Sequence, residues 1–169
     1  MRKIKFYYLL TTTILLLFKS LAILAAANNV PNLDQVTLSV WANEAIVATY
    51  SYDYKNFLTQ QKVIAKYFTA AGWTSYSSAL NISKLPEMIQ KNSYFVSSVA
   101  LLPPEIKNIA TQHWQAIMPL LVIYKNDKYQ QKQILKVKIN FLSVADNQGV
   151  RGLAIESLQS TITQPPCQC

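Results

Sequence analysis

The chain of 169 residues is poor in the residue types that build most compact chemical sites. It has only three glycines, too few for a glycine-rich loop that cradles a phosphate. It has a single histidine, His113, and no His/Cys group with the spacing of zinc ligands. Its two cysteines, Cys167 and Cys169, both stand at the end of the chain. The sequence therefore predicts a core without a disulfide, and no cofactor or metal is expected.

Acidic residues are also scarce, with eight Asp and Glu against sixteen Lys and Arg and a formal net charge of +8. Four of the basic residues lie in the first 27 positions, which contain no acid. The rest of the chain keeps twelve basic and eight acidic residues, a balance that is ordinary for a soluble domain. We therefore expect no nucleic-acid partner.

The first 27 residues contain the parts of a secretory signal peptide. A basic start is followed by an uncharged run at residues 6–18, and a second apolar stretch ends in three alanines. Signal peptidase requires small residues at two positions before the cut, and Ala25 and Ala27 satisfy that requirement. Cleavage is therefore predicted before Asn28.

An uncleaved membrane anchor is the alternative interpretation of the same segment. Residues 4–27 are long enough to cross a bilayer, which takes about 20 apolar residues. Lys19 opposes this interpretation, although it lies off centre and its side chain could reach the interface. Both interpretations keep the basic residues inside and carry residues 28–169 across the membrane. A membrane association is expected only if the segment stays uncleaved.

Residues 28–164 predict a single domain that begins with helices. Apolar residues recur at three- and four-residue steps after Asp34, a suitable N-cap, and this pattern breaks near Ser51. A second helix is capped by Asp53 or Asn56. It carries Phe57 and Phe68 on one side, and Gly72 is expected to be its C-cap. A third helix is predicted over residues 73–80, ending before Pro86.

The apolar period changes to two after residue 94, which predicts β-strands. Alternation is clearest at residues 135–141, where one face is apolar and the other is polar. Similar runs cover residues 95–101 and 114–122, and a last run begins at Leu153. Helices followed by about four antiparallel strands indicate an α+β fold. Residues 165–169 contain two prolines and are expected to form a tail outside the sheet.

The order of several aromatic landmarks resembles the DotI/IcmL family of type IVB secretion and conjugation machines. The resemblance covers roughly residues 36–160. Its most specific pieces are the runs at residues 52–57 and 66–73, which contain Tyr-Asp-Tyr-Lys-Asn-Phe and Tyr-Phe-Thr-x-x-Gly-Trp. The landmark residues within these runs are Phe57, Phe68, Gly72 and Trp73. Two further landmarks, Trp41 and Trp114, lie before and after the runs.

This resemblance implies a cone-like domain of the nuclear-transport-factor-2 type, with N-terminal helices packed on a curved, four-stranded antiparallel sheet. It implies a periplasmic subunit without a catalytic motif, which assembles with itself and with other secretion-complex subunits. An inner-membrane protein with a periplasmic domain is the alternative location. The short segment before the apolar run favours a soluble paralogue over a membrane-anchored core subunit.

A small-molecule-binding or enzymatic cone is the alternative function. Such a protein needs a deep apolar pocket lined by a buried acid, for which Glu44, Asp53 and Glu156 are the candidates. Asp53 is expected to act as a helix cap instead, and His113 as a residue of the surface or the core edge. The indole of Trp73 is expected to pack at a helix end, with an exposed interaction anchor as the alternative.

The terminal cysteines leave three interpretations open. Cys167 and Cys169 could close a strained ring, link two chains in an oxidising compartment, or belong to a tail without a role.

Overall fold

A computed structural model describes residues 33–145 and 147–168, with side chains up to residue 164. The described part contains four helices, which are α1 (Gln35–Thr49), α2 (Phe57–Ala65), α3 (Ala70–Ile82) and α4 (Leu85–Lys91). It contains six strands, which are β1 (Tyr52–Asp53), β2 (Phe95–Ala100), β3 (Glu105–Ala110), β4 (His113–Lys125), β5 (Gln130–Ser143) and β6 (Leu153–Gln168). The helices pack on one curled antiparallel sheet, so the predicted α+β fold is confirmed.

Helix α1 begins and ends where the sequence predicts. The Asp34 side chain accepts a hydrogen bond of 2.7 Å from the backbone N–H of Thr37, which satisfies one of the free donors at the helix start. The helix buries Trp41 and Ile46, together with four smaller residues of the same stripe, which are Leu38, Ala42, Ala45 and Thr49. This stripe covers the concave face of the sheet.

The boundary between α2 and α3 corrects the sequence analysis. The prediction that Gly72 is the C-cap of the second helix is wrong, because α2 ends at Ala65 and Gly72 lies in the first turn of α3. Between the two helices the chain is extended and pairs with β6. The N–H of Thr69 donates to the carbonyl of Ile155, and the N–H of Ile155 donates to the carbonyl of Tyr67. Pairing with a distant strand therefore ends the helix earlier than a local signal would.

Helix α4 was not foreseen. Pro86 lies in its first turn, where a missing N–H costs nothing, so this proline starts a helix instead of following one.

The strands run in the order β1-β2-β4-β5-β6, and β3 pairs with the same side of β4 as β2 does. The expected four strands are therefore joined by two short ones, β1 and β3. Pro119 stands inside β4, which is an unusual place for a proline. Its carbonyl accepts from Leu101 just after β2 ends, and β3 begins its pairing at Ile117. The missing donor thus falls at the junction between β2 and β3, where no ladder bond is lost.

The central strands show the predicted alternation. In β5, Leu135, Val137, Ile139 and Phe141 are buried, whereas the intervening residues are exposed or half-buried. In β4, every second residue from Ala116 to Tyr124 is buried. Because side chains alternate between the faces of a sheet, the dry face is continuous from β4 to β5.

Strand β6 is the edge of the sheet and contains three irregularities in its pairing with β5. They lie opposite the steps from Asn140 to Phe141, from Ile134 to Leu135 and from Lys132 to Ile134. Each inserts an extra residue into β6, and such bulges bend and twist a strand. The prediction of a tail after residue 164 is wrong, because Cys167 still pairs with Lys132. An edge strand tolerates proline at a bulge, which a central strand does not.

Candidate functional site

A cleft between α3 and β6 in the described part of the chain has a volume of about 640 Å³. One side of the cleft is formed by α3 and its C-cap, and most of the residues there are small. These residues are Gly72, Ser75, Tyr76, Ala79, Leu80 and Ser83. The opposite side is β6 from Glu156 to Ser160, with Ile162. We call this space the α3–β6 cleft.

The cleft exists because α3 approaches β6 only at its start. A β-carbon at Gly72 would lie 2.5 Å from the carbonyl oxygen of Ile155 and 2.9 Å from that of Glu156. Helix and strand backbones are therefore in contact at this point. Along the rest of α3 the residues that face β6 are small, and most of them remain exposed or half-buried. The helix thus forms one wall of the cleft and does not fill it.

Tyrosine side chains line the deep end of the cleft. Burial raises the pKa of Tyr50 to about 12, and burial also raises the pKa of Tyr52, Tyr76 and Tyr124. These hydroxyls therefore stay protonated at neutral pH and serve as hydrogen-bond donors. The Tyr76 hydroxyl donates to the carbonyl of Thr49 at 3.3 Å. The chemistry of this surface is that of neutral donors beside aromatic rings.

Next to this cluster lies a buried amide, that of Gln61, which is 9% exposed. Its side chain lies beside the Tyr76 hydroxyl, where a hydrogen bond from the amide opposes the rise in the pKa of Tyr76 that burial causes. The amide therefore belongs to the polar lining around the tyrosines.

A second surface is apolar and lies where α1 meets the segment after β2. Val36 and Val40 project from α1 with 72% and 51% of their surface exposed, and Leu101 and Leu102 follow β2 with 43% and 64% exposed. Two adjoining grooves, which share Val40 and Pro104, connect them. We call these four residues the valine–leucine patch. Contiguous exposed apolar residues of this kind mark interaction sites on soluble domains.

Three of the aromatic landmarks are core residues. Trp41 is buried, stacks on Phe141 at 5.0 Å between ring centroids and donates from Nε1 to the carbonyl of Val150 at 2.8 Å. Phe57 packs edge-on against Tyr52. Phe68 stacks on Tyr76 at 5.0 Å and links the extended segment before α3 to the cleft.

The other two tryptophans are only half-buried. Trp73 lies in the first turn of α3, where its indole packs against Phe68 at 5.9 Å and Tyr76 at 5.6 Å. It is therefore not a full core residue. Trp114 packs on Phe141 at 5.7 Å near the start of β4. Both support a neighbouring buried ring with one face and leave part of the indole to solvent.

The structure does not bring the candidate acids together. Asp53 accepts hydrogen bonds of 2.8 Å from the N–H groups of Lys55 and Asn56, so it shapes the turn before α2, and these bonds keep its pKa low against the opposing effect of burial. Glu44 pairs with Arg151 on the surface. Glu156 lines the cleft but is exposed. Within the described residues no carboxylate is buried.

His113 has a local role. Its Nδ1 donates to the carbonyl of Thr111 at 2.8 Å, which fixes the ring at the start of β4. No group of three or more His, Cys, Asp or Glu residues in the described chain could hold a metal ion.

Several predicted residues fall outside the part that the structure describes. These are Ala25, Ala27, Asn28 and Cys169, and for Cys167 only the backbone is described. None of the described helices is long and apolar enough to span a membrane.

Sequence reasoning missed both surfaces. The tyrosines of the cleft come from the C-cap of α1 and from β1, α3 and β4, and no spacing in the chain connects them. Exposure of Leu101 and Leu102 beside α1 depends on tertiary packing, which the residue pattern does not report.

Comparison with known proteins identifies the family. Residues 21–162 match the DotI/IcmL family, described as an inner-membrane complex component of the type IVb secretion system. The chain belongs to this family. An IcmL-like type IV secretion system protein of Legionella pneumophila is 60% identical, with a TM-score of 0.77 over 81% of this chain and 99% of that structure. Curated protein sequences give no match.

More distant structures share the fold of this DotI/IcmL family member. The periplasmic domain of DotI is 24% identical, with a TM-score of 0.73 over 79% of this chain and 99% of that one. CagV, a VirB8 homologue of Helicobacter pylori, is 11% identical, with a TM-score of 0.63 over 77% of this chain and 100% of that one. The chain is thus homologous to components of type IV secretion systems and has the cone-like fold that the resemblance implied.

Proposed function

We propose that this DotI/IcmL family member is a periplasmic, non-catalytic subunit that assembles with itself and with other subunits of a secretion complex. Family membership supports a place in such a complex. The valine–leucine patch is the single structural observation that carries the assembly role, since it offers a continuous apolar surface at the start of the domain. The similar structure of DotI is that of its periplasmic domain, which supports the location.

The patch has the composition of an interface centre. Two valines and two leucines are exposed beside Pro103 and Pro104, and the adjoining grooves are also lined by Ser39 and Ile106. Burying apolar surface stabilises an association by roughly 25 cal/mol per Å². A charged side chain in the same place would have to lose its hydration on assembly. The patch therefore binds another protein surface, either a second copy or another subunit.

Substitution of the patch tests this proposal. Leu102→Glu should reduce both the oligomer observed by light scattering and the recovery of other secretion subunits from envelope extracts. Leu58→Glu is the matched control, because Leu58 is as open as Leu102 or more so, at 72% against 64% exposure, but lies on α2, outside the patch. Recovery of the wild-type chain as a lone monomer under mild crosslinking would contradict the proposal. Equal losses in both variants would show that the patch has no special role.

The alternative of a small-molecule-binding or enzymatic cone has less support. The cleft has the size of an ordinary ligand pocket, which spans about 300–1,000 Å³. However, the acid that lines it, Glu156, is exposed, and a general base of this fold type needs a buried carboxylate. Neutral tyrosine donors suit binding better than proton transfer.

A further inference from the structure

The free edge of β6 can be mapped from a single hydrogen bond in the neighbouring strands. The N–H of Leu101 donates to the carbonyl of Pro119, so the backbone of Pro119 faces β2. Pro119 pairs with Lys136 in β5, and this pair is therefore one that does not exchange hydrogen bonds. The backbone groups of Lys136 consequently point away from β4 and toward β6.

The same alternation continues into β6. Residues 157–162 pair with β5 in unbroken register, with Thr161 opposite Lys136. Ser157, Gln159 and Thr161 thus bond β5, whereas the N–H and C=O groups of the residues between them point out of the sheet. These outward residues are Leu158, Ser160 and Ile162. In the described part of the chain their backbone groups have no hydrogen-bond partner.

This edge already forms a parallel β-bridge with another part of the chain one step earlier. Ile155 also points outward, and it is bonded at 2.7 Å and 2.9 Å by the segment Tyr67 to Thr69, which runs parallel to β6. The chain then leaves the edge and turns into α3 at Ala70. The α3–β6 cleft begins where this segment stops, so the place of a further strand is bounded on one side by β6 and on the other by α3.

The length of the free edge sets the length of a segment that could pair with it. From Leu158 to Ile162 the edge is about 13 Å long at the usual rise of a strand, which corresponds to a segment of about five residues. Strand β6 of a second copy would bring its whole sheet with it and would need the space that α3 occupies. Inward side chains of a bound segment would meet Tyr50, Tyr76 and Leu80. The Ile162 side chain, 56% exposed on the concave side, would gain cover from the same segment.

We propose that the α3–β6 cleft binds an extended segment of another secretion subunit, which adds to the sheet along Leu158, Ser160 and Ile162 and places apolar side chains at alternate positions into the tyrosine-lined cavity. Strand addition of this kind draws affinity from backbone hydrogen bonds and specificity from pockets for alternate side chains. This inference rests on the proposed assembly role and adds to it a second contact, which is separate from the valine–leucine patch.

Photo-crosslinking in the full chain tests the inference. Benzoylphenylalanine at Ile162 should crosslink to an extended segment of another secretion subunit in cells, whereas the same residue at Val63, which is 52% exposed on α2, should not. Ala79→Trp fills the cleft and should lower the crosslink at Ile162 by about tenfold or more. Ser78→Trp adds the same side chain to a neighbouring exposed position outside the cleft and should leave the yield unchanged.

A proline at the edge gives an independent test. Ser160→Pro removes an outward N–H without breaking the ladder to β5, so the crosslink should fall while the melting temperature is kept. An unchanged yield with Ala79→Trp would overturn the inference, as would a crosslinked peptide that comes from β6 of a second copy. Absence of the crosslink while the chain still co-purifies through the valine–leucine patch would overturn this inference and leave the proposed function standing. Loss of both would overturn both.

Discussion

The α-carbon of Gly72 lies so close to the Ile155 carbonyl that a β-carbon on residue 72 would be 2.5 Å from that oxygen. This contact holds the first turn of α3 against β6 and fixes the origin of the cleft. The opposing atoms belong to the backbone of a paired strand, which cannot move aside as a flexible side chain could. The backbone conformation of Gly72 is that of an ordinary helix residue. Glycine is therefore required at this position because it has no β-carbon, which allows the close approach of α3 to β6.

Gly72→Ala should therefore destabilise the domain by about 1–3 kcal/mol, the usual cost of overpacking. Urea unfolding measures the change. Ala71→Ser, at the adjacent exposed position, should stay within about 0.5 kcal/mol of the wild type. An alanine at position 72 without effect would mean that α3 can shift away from β6, and that the cleft has no fixed width.

The tryptophans should differ in their contribution to stability. Trp41→Ala removes a fully buried, stacked and hydrogen-bonded indole, and should cost about 3–5 kcal/mol. Trp73→Ala removes a half-buried indole and should cost less, in the range of about 0.5–3 kcal/mol that is common for single substitutions. Chemical denaturation of both variants makes the comparison. Equal costs would show that Trp73 is a core residue in solution.

The tyrosine cluster predicts a loss of stability at high pH. Burial raises the pKa of Tyr50 from 10.0 to about 12, so the folded protein keeps a proton that the unfolded chain releases above pH 10. The stabilisation is complete below pH 10 and is lost as the pH rises toward 12. Absorbance at the tyrosinate band and thermal melts should show delayed titration and falling melting temperature over this interval.

Tyr50→Phe is the variant that isolates this effect. It should reduce the slope of stability against pH above 10 and leave the slope below 10 unchanged. A wild-type protein in which all tyrosines titrate together near pH 10 would contradict the burial of the cluster.

The N-terminal prediction concerns processing. Protein from the periplasm should begin at or near Asn28, because Ala25 and Ala27 are the small residues that signal peptidase requires. Ala27→Tyr should block cleavage and leave the chain in the membrane fraction, as N-terminal sequencing and fractionation would show. An intact Met1 in native protein would establish the anchor interpretation and the role of a membrane-anchored core subunit.

The C-terminal prediction concerns the cysteines. Part of the exported protein should run as a dimer on non-reducing gels, since Cys167 and Cys169 have no other cysteine to pair with. Changing both to Ser should abolish the dimer band. The melting temperature should change by only about a degree or two, because the pairing of Cys167 with Lys132 is made by the backbone. A large loss of stability would indicate that the thiols are part of the fold.

Much of the architecture could be predicted from the sequence because its signals are local. Asp34 caps α1 through a residue three positions away, and the alternation of Leu135, Val137, Ile139 and Phe141 reports one buried face whatever lies against it. The predicted export segment likewise rests on composition within one stretch of chain, and it stays a prediction. These features depend on residues that are neighbours in sequence, so the amino-acid sequence by itself contains them.

Tertiary structure decided what depends on distant partners. Gly72 is compatible with a C-cap by local rules, but pairing of Tyr67 and Thr69 with Ile155 ends α2 earlier and places the glycine against β6. The prolines after Gln164 indicate a tail, yet an edge position with a bulge keeps Cys167 in the sheet. The cleft unites residues from six elements, which are β1, α3, α4, β4, β5 and β6. Backbone-to-backbone distances between elements far apart in sequence set these features, and no residue pattern within one element encodes them.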